Sequence, residues 1–148
     1  MCARDAVITV VVTGWRKLNN AACVHAALEE VEREIPPGTL KVLVHGGCLG
    51  LDKQAAAVAH ERKWNTVIQV DAEWRKYGEK PAGPIRNQAM LNRHKPQYVL
   101  AFHPEPPDRC PAHSGTRDCY MRAKRRFTFA GPESGLVLRW YTGERVCM

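Results

Sequence analysis

The stretch Ala6–Thr13 (AVITVVVT), which runs on into Gly14-Trp15-Arg16, decides the fold. Its unbroken run of β-branched and apolar residues is typical of a strand that is buried on both faces. Strands of this kind occur in parallel sheets, because the connections between parallel strands cover both faces with helices. The run therefore predicts one strand of a parallel α/β sheet.

Helical and strand patterns alternate along the rest of the chain. Helices are predicted over about 20–35, from Gly50 onward, from Pro84 (as the first helical position) to about 93, and over 115–126. Strands are predicted over 40–45, 66–70 and 98–102, with short candidates at 127–130 and 136–141. The polar segment 71–83 and the proline-rich segment 103–113 are predicted to be irregular.

This alternation predicts an α/β, Rossmann-like fold in three layers, with a mainly parallel sheet of about five strands and helices on both faces. We expect a single domain over 1–148, with its core at about 6–130 and a C-terminal strand or hairpin extension over 131–148.

The composition narrows the class of partner. The 148 residues carry 22 Lys and Arg against 15 Asp and Glu, a net charge of +7, which favours polyanionic or phosphorylated partners. No apolar run approaches the ~20 residues of a membrane helix, so no membrane partner is expected. The six cysteines are irregularly spaced without C-x-x-C, which favours reduced thiols in the cytoplasm over a disulfide framework. No cofactor is expected.

Ligands of open parallel sheets bind outside the carboxyl ends of the strands, near the point where the strand order reverses. This rule selects four segments: Thr13–Lys17, His45–Asp52, Ala82–Asn87 and His113–Asp118. The second contains Gly46-Gly47-Cys48-Leu49-Gly50, whose glycines allow the backbone to approach an anion at the following helix N-terminus. Alternatively, it is a tight turn that places Asp52 in the first turn of that helix.

The third segment, Gly83-Pro84-Ile85-Arg86-Asn87, places an arginine in a predicted first helical turn, where it opposes the helix dipole. A bound phosphate would offset that cost, and a salt bridge from Arg86 to Asp52 or Asp118 would offset it equally.

Three further groups complete the candidate ligand site. Gly14, Trp15 and Arg16 end the first strand, where a glycine admits a nucleotide and Trp15 could stack on its base. Trp15 and Trp74 could each stack on a ligand base or pack against the protein as half-buried residues. Ser114, Gly115 and Thr116 form a second candidate phosphate cradle, which helix capping explains equally well.

Two other clusters point elsewhere. His103, Cys110, His113 and Cys119 could supply zinc ligands, but their spacings match no standard finger, and no metal site is expected. The basic residues Arg122, Lys124, Arg125 and Arg126 could touch nucleic acid or simply form a solvated helix end.

Taken together, these motifs resemble the YspA-like (cpYpsA-related) branch of the SLOG superfamily, small Rossmann-like proteins of bacteria and phages. The resemblance spans Val7 to Arg126. It rests on Gly14-Trp15-Arg16, the segment from His45 to Asp52, Ala72-Glu73-Trp74, the segment from Ala82 to Met90, Ala101-Phe102 and Ser114-Gly115-Thr116. It implies a pocket for nucleotides or nucleotide-derived ligands, and self-association into a homo-oligomer.

The chain is more distantly similar to the lonely-guy phosphoribohydrolases, which cleave nucleoside monophosphates and share a P-G-G-x-G-T-x-x-E motif. Arg86 looks like the arginine on the helix that precedes that motif. Ala112 and His113 replace its glycine pair, and Cys119 stands where its acid would be. Asp118 lies about 100° away from that position on an ideal helix. Asp52 and Asp118 are the candidate catalytic residues, with Glu73 as a further carboxylate.

Three functions follow. The first is non-catalytic binding of a nucleotide-derived ligand, by a sensor or sequestering protein in a phage or antiphage-defence setting. The second is hydrolysis of the N-glycosidic bond of nucleoside monophosphates, for which a carboxylate is required. The third, ranked last, is single-stranded nucleic-acid binding through the basic charge, which predicts a steep salt dependence.

Overall fold

The computed structural model describes residues 6–47, 50–111, 114–130 and 136–142. Within these ranges the strands are β1 (Val7–Gly14), β2 (Leu40–His45), β3 (Thr66–Gln69), β4 (Tyr98–Phe102) and β5 (Val137–Tyr141). The helices are α1 (Ala21–Glu34), α2 (Leu51–Glu61), α3 (Trp74–Tyr77), α4 (Glu79–His94) and α5 (Gly115–Ala130).

The strands form one sheet in the order β3-β2-β1-β4-β5, and each neighbouring pair is parallel. Successive strands first run from β1 outward to β3, and the chain then crosses to β4 on the other side of β1. The strand order therefore reverses between β1 and β4, which is where a ligand site is expected. The Rossmann-like α/β fold with a parallel five-stranded sheet is confirmed.

Alternate side chains of β1 point into two separate cores, as the pleat of a strand requires. Val10 and Val12 pack against α1 and α2 through residues such as Leu28 and Leu51. Val11 packs on the opposite face with residues of α4 and α5 that include Met90, Leu91, Cys119 and Ala123. Helices thus cover both faces of the sheet, and the unbroken apolar pattern of β1 follows from that double burial.

Three expectations about local structure are wrong. Residues 71–83 are not irregular, because α3 and the start of α4 fall within them. Pro84 lies inside α4 instead of opening it. The first turn of α4 closes through the Ala82 N–H and the Gly78 carbonyl (3.2 Å), and Ala82 is buried, so the helix forms although Pro84 lacks one donor.

The third wrong expectation concerns 127–130, which belongs to α5 and is not a strand. The aromatic and β-branched residues there suggested a strand, but the first helix-breaking pair after the start of α5 is Gly131-Pro132.

The edge strand β5 is attached to α1 by polar side chains. Arg139 contacts Glu30 (3.1 Å) and Glu34 (2.7 Å), and the Tyr141 hydroxyl donates to Glu30 (2.9 Å). These contacts hold β5 beside β4. Trp140, which lies between Arg139 and Tyr141 in the sequence, is thereby placed near the carboxyl end of the sheet.

Candidate ligand-binding cleft

A cleft of about 910 Å³ opens at the carboxyl ends of β1 and β4. Its floor includes Val12, Thr13 and Gly14 of β1, and its walls come from the segments that follow β1, β2 and β4 and from α3, α4 and α5. The cleft therefore lies at the reversal of the strand order, as the topological rule predicts.

Most of the residues selected from the sequence line this one cleft. They are Gly14, Trp15, Arg16, Gly46, Asp52, Trp74, Arg86, Asn87, Ser114, Gly115, Thr116 and Asp118. Gly47 and Gly50 do not line it. Cys48, Leu49, Ala112 and His113 lie outside the described residues.

The first backbone donors of the glycine-rich turn are used within the protein. The Gly46 N–H donates to Asp52 Oδ2 (3.1 Å), and the Gly47 N–H donates to His45 Nδ1 (3.0 Å). Asp52 is 3% exposed and lies in the first turn of α2, where a negative charge is favourable. Asp52 therefore lies in the first turn of α2, as the tight-turn interpretation of this motif describes, and it binds the first N–H of the motif.

His45 supports the turn as a neutral ring. Burial, together with the smaller effects of the nearby charges of Lys53 and Arg86, lowers its pKa to about 4 against the opposing effect of Asp71. Because Nδ1 accepts the Gly47 N–H, the proton of the neutral ring lies on Nε2. His45 acts in the structure as a buried hydrogen-bond acceptor.

Arg86 reaches the cleft from the middle of α4 and not from its first turn, so the dipole argument made for it is wrong. Its Nε donates to Asn87 Oδ1 (2.8 Å), and its Nη1 donates to the carbonyls of Gly46 (2.6 Å) and Val70 (3.3 Å). Neither Asp52 nor Asp118 forms an ion pair with it, and Nη2 donates to no residue that the structure describes. Three hydrogen bonds thus fix the orientation of a guanidinium that lines the cleft.

Gly46 is required for this arrangement because a side chain there would overlap with the Arg86 guanidinium. On the other side of Arg86, Asn87 continues the network: its Nδ2 donates to Asp118 Oδ2 (2.9 Å), which also accepts from Arg122 Nε (2.9 Å). Arg86 and Asp118 are therefore held by the same asparagine, one on each of its polar atoms.

The N-terminus of α5 forms the opposite wall. Ser114 Oγ accepts the Arg117 N–H (3.3 Å), which identifies Ser114 as the helix cap. The N–H groups of Gly115 and Thr116 donate to none of the described residues, and both residues line the cleft. The positive end of a helix, with two backbone donors that have no acceptor among the described residues, thus belongs to the same cleft as Arg86.

Adjacent residues of α5 have opposite environments. Cys119 is fully buried in the core, and this burial raises the pKa of its thiol to about 12. Asp118 instead lines the cleft. The carboxylate beside the position expected from the family pattern is therefore the one that faces the site.

Aromatic side chains flank the cleft. The Trp15 ring contacts that of His103 (centroids 5.4 Å apart), which contacts Trp140 (6.2 Å). Trp140 is held by Tyr120 (5.0 Å) and by a hydrogen bond from its Nε1 to the Glu105 carbonyl (2.9 Å). Trp15 is therefore supported by a row of rings. Trp74, on α3, is 52% exposed.

Sequence reasoning missed two cleft residues with polar side chains, His103 and Lys80. His103 directly follows β4, so the topological rule that selected the end of β1 could have found it. Lys80 belongs to the part of α4 that was predicted to be irregular, and no signal marked it.

The zinc candidates do not come together. His103 lines the cleft, Cys119 lies in the core, Cys110 is a buried free thiol, and His113 lies outside the described residues. Within the described ranges, no three His, Cys, Asp or Glu side chains form a group suited to a metal ion. No described helix is both long enough and apolar enough to span a membrane.

The fold and the cleft define a Rossmann-like α/β protein with a candidate ligand site at the carboxyl edge of its sheet. Residues 8–77 match the model of the YspA, cpYpsA-related SLOG family, which confirms the resemblance noted from the sequence. The matched segment includes Trp15, Gly46 and Asp52, whereas Arg86 and the N-terminus of α5 follow it.

A solved structure, the crystal structure of a UDP-N-acetylglucosamine 2-epimerase, is similar over 92% of this chain at 12% identity and a TM-score of 0.48. This chain spans 33% of the length of that protein. No curated protein sequence matches the chain at a significant level.

Proposed function

We propose that the cleft binds a nucleotide or a nucleotide-derived ligand without transforming it, as a sensor or sequestering protein related to phages or to antiphage defence. The match of residues 8–77 to the SLOG family model supports a nucleotide-related ligand in general terms. The observation that carries the proposal is Arg86, a cleft-lining guanidinium that is fixed by three hydrogen bonds but has no carboxylate partner among the described residues.

A phosphate of the ligand lies between Arg86 and the N-terminus of α5. Nη2 of Arg86 and the N–H groups of Gly115 and Thr116 supply charge-assisted hydrogen bonds from two sides. Gly46 and Gly47 act indirectly, because the Gly46 carbonyl orients Arg86 (2.6 Å) while the N–H groups of Gly46 and Gly47 donate to Asp52 and His45.

The base or ribose lies against an aromatic wall of the cleft. Trp15 is half-buried and supported by His103, so its ring is ordered before a ligand arrives. An ordered platform lowers the entropy cost of binding.

Calorimetric titration of the full chain with a panel of nucleoside mono-, di- and triphosphates, cyclic nucleotides and ADP-ribose derivatives tests this function. Arg86→Ala should weaken the tightest ligand about 10- to 150-fold, since a hydrogen bond to a charged group contributes about 1.5–3 kcal/mol. The matched control is Arg93→Ala, an exposed arginine in the last turn of the same helix. Absence of binding throughout the panel, or equal affinity of both variants, contradicts the proposal.

A second candidate function, hydrolysis of the N-glycosidic bond of nucleoside monophosphates, is favoured by the position of Asp118 in the cleft. Asn87 and Arg122 hold its carboxylate in place, as a stabiliser of an oxocarbenium-like transition state must be held. Release of adenine from AMP, abolished by Asp118→Asn and unaffected by the exposed Asp108→Asn, would establish it. If no adenine is released from AMP, the hydrolytic function is refuted and the binding function is unaffected.

The remaining expectations are part of the proposal. They are a single domain over 1–148, self-association of the chain, and a location in the cytoplasm.

A further inference from the structure

The cleft carries more positive charge than one phosphate requires. Besides Arg86, the exposed side chains of Arg16 and Lys80 line it from the β1–α1 turn and from the start of α4. Within the described part of the chain, none of these three cations forms an ion pair, whereas Arg62, Arg122 and Arg139 elsewhere do.

The acidic residues of the cleft offset these cations only in part. Asp118 already pairs with Arg122 (2.9 Å), so Asp52 is the one remaining carboxylate among the described lining residues, against three cations. Three like charges around one cavity repel each other, and a ligand with two or more negative charges relieves that repulsion.

The cleft also has two separate aromatic surfaces. Trp15 leans on His103 beside the end of β4, whereas Trp74 stands on α3, with its ring close to the backbone of Gly83 in α4. No ring contact joins Trp15 with Trp74 in the described structure, although both line the same cavity. Trp15 and Trp74 can therefore each stack on a different ring of a ligand.

The size of the cleft agrees with such a ligand. Its volume of about 910 Å³ lies near the upper end of the roughly 300–1,000 Å³ of pockets for small molecules. One base, one ribose and one phosphate would leave one of the two aromatic surfaces without a partner.

We propose that the ligand is a dinucleotide, with one ring system on Trp15, the other on Trp74, and the linking phosphates along Arg86, Arg16 and Lys80. This inference rests on the proposed nucleotide-binding function and names its ligand class. The two stacked rings supply affinity, and the cations select a ligand with at least two phosphates.

Calorimetry compares two mononucleotides, AMP and GMP, with three dinucleotides, NAD⁺, cyclic di-AMP and cyclic di-GMP. We expect at least one dinucleotide to bind about tenfold or more tightly than either mononucleotide. Trp15→Ala and Trp74→Ala should each weaken that dinucleotide about 5- to 150-fold, as loss of one stacked base predicts. Tyr77→Ala, which removes an exposed ring of α3 outside the cleft, is the matched control.

Different results overturn different statements. If a mononucleotide binds as tightly as every dinucleotide, or if Trp74→Ala behaves like Tyr77→Ala, the dinucleotide class is wrong while Arg86-dependent nucleotide binding stands. If none of the five compounds nor any other nucleotide binds, the proposed function itself fails. If a ten-residue oligothymidylate binds more tightly than every dinucleotide, with a steep loss of affinity in added salt, the cleft serves single strands instead.

Discussion

Replacement of Gly50 by alanine should cost far more stability than the same change at Gly38. Both glycines have a positive φ, +80° at Gly50 and +86° at Gly38. They differ in their surroundings: a Cβ at Gly38 meets nothing within 4 Å, whereas a Cβ at Gly50 overlaps with the backbone carbonyl of Arg16. Gly50 also has a ψ of −121°, outside the left-handed helical region, so Gly50→Ala combines backbone strain with a steric overlap that Gly38→Ala lacks.

The magnitudes follow from these two contributions. A left-handed conformation costs an alanine roughly 1–2 kcal/mol, which is the expected loss for Gly38→Ala. At Gly50 a strained backbone costs about 1–3 kcal/mol, and the forced shift of the Arg16 backbone adds roughly 1–3 kcal/mol. The loss expected for Gly50→Ala is thus about 2–6 kcal/mol, against a typical domain stability of roughly 5–15 kcal/mol.

Urea unfolding of both variants, followed by far-ultraviolet circular dichroism, measures this difference as a shift of the midpoint at constant slope. Equal losses of unfolding free energy at Gly50 and Gly38 would show that the β1–α1 turn does not press against the start of α2. In that case the glycine at position 50 would owe its presence to something other than the contact with Arg16.

Three more predictions concern individual side chains. The pKa of His45 is lowered to about 4, so between pH 6.5 and pH 4 the unfolded chain binds a proton at this residue that the folded chain does not. The unfolding free energy, measured by urea titration, should therefore fall by about 3 kcal/mol from pH 6.5 to pH 4. His45→Asn should flatten this slope, and the exposed His60→Asn should not. Trp140→Leu should weaken nucleotide binding about two- to tenfold in calorimetry through the loosened support of Trp15. Cys119 should resist iodoacetamide in the folded protein and react after denaturation, as read by peptide mass spectrometry, because burial raises the pKa of its thiol to about 12.

Most of the sheet could be predicted because strands that are buried on both faces have unbroken apolar sequences. Apolar runs such as Ala6–Thr13 and Tyr98–Phe102 lie between layers of helices, and no other environment accommodates them as well. Residues 71–83 could not be predicted because their order depends on long-range contacts. Ala82 is buried there, and the local signal of Pro84 indicated a later start of the helix.

The composition of the site was more predictable than its hydrogen bonding. The topological rule predicted that the segments of Gly46, Arg86 and Ser114 contribute to one site, and all three residues line the cleft. The rule needs only the positions at which parallel strands end. The sequence could not reveal that the Gly46 N–H is taken by Asp52, since that bond depends on the phase of α2 relative to β2. The sequence left ligand binding and a tight turn with Asp52 in the first helical turn as alternatives for this segment, and the structure adds that Asp52 accepts the Gly46 N–H.

The positions of Asp118 and Cys119 limit what the phosphoribohydrolase motif implies for this chain. Adjacent residues of a helix project about 100° apart, so only one of two neighbours can face a given cleft. The fully buried Cys119 packs with Met90 and Val99, which fixes the phase of α5 against the sheet. Asp118 then faces the cleft, where Asn87 joins it to the Arg86 network. An acid introduced at position 119 would enter an apolar core and lose its charge or unfold the helix, whereas the carboxylates that line the cleft among the described residues are Asp118 and Asp52.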